Sequence, residues 1–302
     1  MVLLQLSLVS HIVVKKANVS LGIMYMMIAT ASFSLMNICI KYLSHLPVVE
    51  IVFLRCLIAL IIVFGMMHKN AVKWTGGNKK LLLLRGGFGT LALFTFFITL
   101  QKLPLGTAVT IQYTSPIFTT LLANIFFKER VPYIQYLFFA ISFSGVALLK
   151  GVDTQLSSEY LGIGLLSAMF SGFAYNFVRT LKAKEHPLVV VLHFQIIGAI
   201  FGGIFSVFNW HTPSFTDAIF IVGTGVFTYF GQYYLTLALQ SEKVGVVSSV
   251  NYLGVVYALI FGVLLFGEKV DYFNLISIFL VLFGVILSII FEEKSKVEER
   301  VS

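Results

Sequence analysis

The chain has 302 residues, of which 58% are hydrophobic and 11% charged, with a formal net charge of +8. A soluble domain carries about 25% charged residues, so this chain lacks the polar surface to cover a water-facing globule, and lipid must be the solvent for most of it. In lipid only helices and closed barrels satisfy their backbone hydrogen bonds, and long apolar runs without strand alternation favour helices. The basic residues are dispersed between the apolar runs and form no stripe, which argues against nucleic acid as a partner.

The first segment, residues 1–18, opens with the mostly apolar run Met1–Val14, which has no basic n-region and is followed by Lys15 and Lys16. It is a poor signal peptide, and a short interfacial helix and a misplaced start are its two readings. A span needs about 20 apolar residues. Candidate spans then follow at 20–41, 47–67, 81–101, 105–127, 132–150, 160–181, 188–208, 217–239, 245–266 and 272–291. Pro47, Pro132 and Pro187 lie at span starts, where a missing N–H costs little. The longest loop, His68–Lys80, is too short for a soluble domain, and the charged tail 292–302 is expected to fray. Cys39 and Cys56 sit inside apolar runs and read as packed thiols, with no structural disulfide.

Placing the N-terminus in the cytoplasm puts 16 of the 21 lysines and arginines on the cytoplasmic side, Arg85 among them. Lys41, Lys102, Lys150 and Lys269 fall on the other side, and Arg55 stays inside a span. This bias predicts a multi-pass protein of a cytoplasmic (inner) membrane with both termini cytoplasmic.

The chain also repeats itself. At a shift of 139, Leu100-Gln101 matches Leu239-Gln240, Tyr113 matches Tyr252, Phe127 matches Phe266, Glu129-Arg130-Val131 matches Glu268-Lys269-Val270, and Gly145-Val146 matches Gly284-Val285. Upstream the shift is 140: Leu21-Gly22-Ile23 matches Leu161-Gly162-Ile163, Phe33 matches Phe173, and Pro47 matches Pro187. Each copy holds five spans. Five is odd, so the second copy starts from the opposite side of the membrane and the repeat is inverted. The fold class expected is therefore an all-α integral membrane protein, ten transmembrane helices in two inverted five-helix repeats around a central cavity, the usual plan of secondary transporters.

The residues carry a resemblance as well. Glu50-Ile-Val-Phe-Leu-Arg55 opens the second span, Leu84-Arg85-Gly86 the third, Pro116 lies within the fourth, and the turns Phe127–Val131 and Phe266–Val270 share an aromatic-x-Glu-basic-Val pattern. With these features the chain resembles the drug/metabolite transporter superfamily in its EamA-domain branch, over roughly residues 18–291. The resemblance implies a first repeat at 19–150, a second at 159–291, a basket of helices and transport of small organic solutes. The second half departs from the pattern, with Val255 in place of Pro116 and Gln195 in place of Arg55.

Arg55 is the sharpest functional signal. It lies about eight residues beyond Pro47, or about 12 Å along a helix, near mid-membrane, where a charge is costly and faces a cavity or a partner. It reads as an anion-binding guanidinium, against the alternatives of an ion pair with Glu50 or a cap on broken-helix carbonyls. Gln112 and Tyr113 form a second group, because Pro116 cannot donate to the Gln112 carbonyl and leaves that oxygen free. Asn251 and Tyr252 occupy the equivalent places. Asn37, Tyr175, Gln195 and Gln232 complete the candidate substrate-binding set. Asn176 and Tyr233 read as packing or helix-bonding residues, and Glu129 and Glu268 as capping or turn-stabilising ones. Glu50 and His193 are the candidates for proton coupling.

No nucleotide-binding, nucleophile-elbow, zinc-protease or paired-cysteine motif is present, so no enzyme, cofactor or metal is expected. The function expected is a secondary transporter, exporter or exchanger, of a small organic solute bearing an anionic group, working by alternating access. A membrane scaffold or sensor without flux is the alternative. The expected partners are the solute, the lipid bilayer, a coupling ion or counter-solute, and a second copy in a homodimer.

Overall fold

A computed structural model of the chain describes residues 21–127, 132–152, 157–181, 184–208, 210–241 and 250–301. The reading of residues 1–18 falls outside them. Among the described residues there are helices and no strands: α1 Leu21–Tyr42, α2 Val48–Lys69, α3 Lys79–Lys102, α4 Leu105–Gln112, α5 Ser115–Phe127, α6 Tyr133–Val152, α7 Ser158–Leu181, α8 Pro187–Ser206, α9 Phe215–Ser241, α10 Leu253–Phe266 and α11 Tyr272–Val301. Five of them, α1, α2, α3, α7 and α8, are individually long and apolar enough to cross a membrane.

The helix starts follow the sequence punctuation. Pro47 caps α2, Pro187 is the first residue of α8, and Asn78 caps α3 by accepting a hydrogen bond from Leu81 N at 3.1 Å. Two expectations are corrected. Residues 105–127 do not form one continuous helix. Tyr113 N donates to Val109 O at 3.1 Å and Thr114 N to Ile111 O at 3.0 Å, which closes α4 before Ile117 N, donating to Thr114 O at 3.0 Å, opens α5. Pro116 lacks the N–H that would have continued the ladder and its ring crowds the preceding turn. The tail does not fray at Glu292, since α11 runs to Val301.

Packing is pairwise. α1 lies on α9, α3 on α7, α2 on α8 and α6 on α11. Without a hydrophobic drive between helices in lipid, close approach depends on small residues. α2 and α8 run antiparallel, with Gly202 set against Phe53 and Gly198 against Cys56. In the α6–α11 seam, a Cβ on Gly145 would lie 2.8 Å from Ser277 O and Val281 N, while one on Gly284 would meet Phe138 O and lie 2.8 Å from Ser142 N. The shift of 139 exchanges these two contacts, and Ser142 Oγ donates to Val281 O at 3.0 Å between them. Within each half a glutamine reaches back to the turn before the second span: Gln101 Nε2 donates to Leu46 O at 3.1 Å, and its match Gln240 donates to Glu185 O at 3.4 Å, one residue before the match of Leu46.

One turn joins distant parts of the chain. Gly267 takes a left-handed conformation (φ +61°) that ends α10, and Glu268 N returns to Gly262 O at 3.0 Å. This aims the Glu268 carboxylate at the start of α4. Both its oxygens lie 2.8 Å from Leu105 N, and Lys41 Nζ sits 3.3 Å from Oε1. Lys41 also donates to Leu103 O at 2.6 Å. The capping role expected of Glu268 is thus exerted on a helix 163 residues away in sequence. Glu129 lies outside the described residues.

Candidate functional site

The break after α4, the packing of α2 against α8 and the crossing of α3, α7 and α9 leave a cavity of about 820 Å³, counting its mouth. Among the described residues its charged lining consists of Arg55 and Arg85, and no acidic side chain lines it. Arg55, on the second turn of α2, is 1% exposed, and Arg85, on α3, is 4% exposed.

Arg55 is held by neutral groups only. Its Nη1 donates to Thr228 Oγ1 at 2.9 Å, and its Nη2 reaches Gln195 Oε1 at 3.4 Å. Its Cζ lies 5.5 Å from the Phe97 ring centroid and 5.7 Å from that of Phe194. Arg85 donates from Nη2 to Gln232 Oε1 at 3.0 Å, and its Cζ stands 4.4 Å over the same Phe194 ring. Gly89, one turn along α3, makes room for this stacking, because a side chain there would run into Arg85 Nη1. The Nε of each guanidinium is buried without a hydrogen-bond partner. Among the described residues neither arginine pairs with a carboxylate. Two cations are therefore held out of water with dipoles and ring faces in place of counter-charge, a costly arrangement that an anionic ligand would relieve.

Polar groups from both halves of the chain continue the wall. Gln112, at the end of α4, donates from Nε2 to Ser171 Oγ at 2.7 Å. The Ser167 hydroxyl sits 2.7 Å from both Gln112 Oε1 and Ala92 O, able to donate to one at a time. Tyr113 OH reaches Asn251 Oδ1 at 3.4 Å, and Thr30 Oγ1 reaches the same oxygen at 3.1 Å. Asn37 and Tyr175 also line the cavity, and Asn37 Oδ1 is buried without a hydrogen-bond partner.

Of the residues singled out in the sequence, Arg55, Gln112, Tyr113, Asn251, Asn37, Tyr175 and Gln232 therefore meet at one cavity, and four others do not line it. Tyr252 packs edge-on to Tyr113, ring centroids 5.8 Å apart, in a small cluster with Ile117, Phe139 and Val285. Gln195 stands behind Arg55 as its acceptor. Glu50 is fully buried and accepts from His211 N at 2.9 Å rather than from Arg55. His193 turns its Nδ1 to Val189 O at 2.9 Å, within its own helix. Arg85 is the cavity-lining charge that the sequence reading did not single out. Counted with the loop charges, it lies inside the span placed at 81–101, and its position behind four consecutive leucines was the available signal.

The model of the EamA-like transporter family matches residues 20–150 and again 159–290. The pseudopaline exporter CntI of Pseudomonas aeruginosa is 28% identical over 253 residues, covering 83% of this chain and 89% of its own. Human solute carrier family 35 member G1 is 28% identical over 268 residues, covering 82% of this chain and 73% of its own. An uncharacterized transporter of Helicobacter pylori is 25% identical over 273 residues, covering 86% and 92%. A solved crystal structure, described only as that of a protein, superposes with a TM-score of 0.67 at 14% identity over 89% of this chain and 98% of that one, a likeness of fold alone.

Proposed function

The chain belongs to the EamA-like transporter family of multi-pass membrane proteins, and from that premise we propose that it is a secondary transporter of a small organic solute bearing an anionic group. The observation that carries the reading is the pair of buried guanidinium groups at one cavity, neither of them paired with a carboxylate among the described residues. A low-dielectric wall strengthens their attraction for an anion, and the planar fork of each matches a carboxylate or phosphate. The name of the Pseudomonas relative favours export as the direction. The protein purified into liposomes is expected to move labelled organic anions down an imposed gradient, with neutral analogues of the same size left behind. Absence of flux for every solute, with ligand binding retained, would favour a sensor.

Alternating access is the mechanism proposed. The reading of two inverted five-helix copies is supported by the reciprocal contacts of the α6–α11 seam and by the matching glutamines that each bond the turn before the second span of their half, one residue apart in register. It is also supported by the pairing of α1 with α9 and of α3 with α7, which are the same pair once the copies are exchanged. The match over 20–150 and 159–290 is consistent with a copy in each half. Both termini are placed in the cytoplasm by the charge bias, which survives the transfer of Arg85 from loop to cavity. In a background lacking Cys39 and Cys56, a cysteine replacing Thr212 is expected to react with an impermeant thiol reagent on intact cells, and one replacing Asn78 is not. Labelling at Asn78 from outside reverses the orientation.

A further inference from the structure

Arg55 and Arg85 stand on two helices of the first half of the chain, α2 and α3, and share one aromatic neighbour. Their Cζ atoms lie 5.7 Å and 4.4 Å from the Phe194 centroid, so the two charges are within about 10 Å of each other. The oxygen acceptors that hold them come from the second half, Gln195 on α8 and Thr228 and Gln232 on α9, while Arg55 also reaches two first-half sulfurs, Met36 Sδ at 3.8 Å and Cys56 Sγ at 3.7 Å. Each keeps donor capacity. A guanidinium has five N–H groups, and in both residues Nε has no partner, while Arg85 makes its one side-chain hydrogen bond through Nη2.

Among the described residues the charge count of the lining is two positive and none negative. A singly charged solute would leave one cation buried without compensation, and at this depth that residual cost is large. A solute with two negative charges removes both. We propose that the cavity selects a dianion, two carboxylates or a carboxylate and a phosphate on one small skeleton, with one anionic group on Arg55 and the other on Arg85. Arg85 is then a specificity-determining residue. Arg55 alone suffices for an anion, and the second guanidinium sets the preference for a second negative group. The proposal rests on the anion reading above.

The test measures thermal unfolding of the purified full chain in detergent at constant ionic strength, because a ligand stabilises the state it binds. The probes are straight-chain dicarboxylates of four to six carbons and the monocarboxylates of the same lengths. The wild type is expected to reach half its maximal stabilisation at a dicarboxylate concentration lower by about tenfold or more than for the matched monocarboxylate. Arg85→Gln is expected to weaken the dicarboxylate response by about tenfold or more and the monocarboxylate response by distinctly less, so that the preference collapses, and Arg85→Lys, which keeps the charge, is expected to retain part of it. Equal response of the wild type to both series, or equal weakening of both by Arg85→Gln, overturns the dianion and leaves the anion reading standing. No response to any anion overturns both.

Discussion

Arg55→Gln is expected to lose most transport while the protein still inserts and purifies. Truncating one partner of a buried, hydrogen-bonded charge pair costs about 2–5 kcal/mol, which lowers affinity roughly 30-fold or more. Proteoliposome uptake at a solute concentration near the wild-type KM reads this directly, with size-exclusion behaviour and melting as controls. Glutamine still offers a donor to Thr228, so the loss falls on solute rather than on the fold. Arg55→Lys keeps the charge and gives up the two-pronged geometry, and an intermediate rate is expected. A rival account makes Arg55 the neutraliser of Glu50. The structure places Glu50 against His211 N and Arg55 against Thr228 and Gln195. The double variant Glu50→Gln, Arg55→Gln is therefore expected to stay inactive. Recovered transport in that double variant would return Arg55 to a structural role.

Glu268→Ala is expected to lower stability by about 1–3 kcal/mol. The carboxylate satisfies the N–H of Leu105, itself 1% exposed, at the N-terminus of α4, where a negative charge is favoured by the helix dipole. Its removal also leaves Lys41 with one carbonyl as its remaining partner. Glu268→Gln keeps an acceptor and loses the ion pair, so a smaller decrease is expected. Thermal unfolding in detergent ranks the two. Because α4 carries Gln112 and ends at Tyr113, both on the cavity wall, the alanine variant is also expected to raise KM for the transported solute. A melting temperature equal to that of the wild type would show that the carboxylate contributes nothing to this junction.

Much of the site was legible because a charge or amide in an apolar run has no cheap alternative to a cavity or a partner. Arg55, Gln112 and Asn37 were found that way. Arg85 was not, because it sits near a span start, where hydropathy alone cannot tell a residue pointing to water from one turned inward. Its inward turn depends on Gly89 and on the Phe194 face, which are tertiary facts. Pro116 announced a special place in the fourth span, and the chain breaks there, though the lost ladder was read as one free carbonyl rather than as two helices. On the matching side no proline is present, yet Tyr252 stands at the cap of α10. Tyr113 and Tyr252 share a register, and their rings pack edge-on with centroids 5.8 Å apart. Which ring faces the open space was decided by packing, with Tyr252 enclosed by Ile117, Phe139 and Val285. The partner of Glu50 was not legible, because it is a backbone N–H of the loop after α8, 161 residues away.

The reciprocal glycine contacts of α6 and α11 carry a mechanical consequence. Both sockets sit at 2.8 Å, with no space for even a methyl group, and they lie on either side of the Ser142–Val281 hydrogen bond. Sliding one helix along the other would pull both glycines off their seats at once, and the loss would be felt twice. Rocking about the point where Ser142 meets Val281 displaces each socket least. The geometry of the seam therefore resists shear between α6 and α11 more than tilt about the Ser142–Val281 bond.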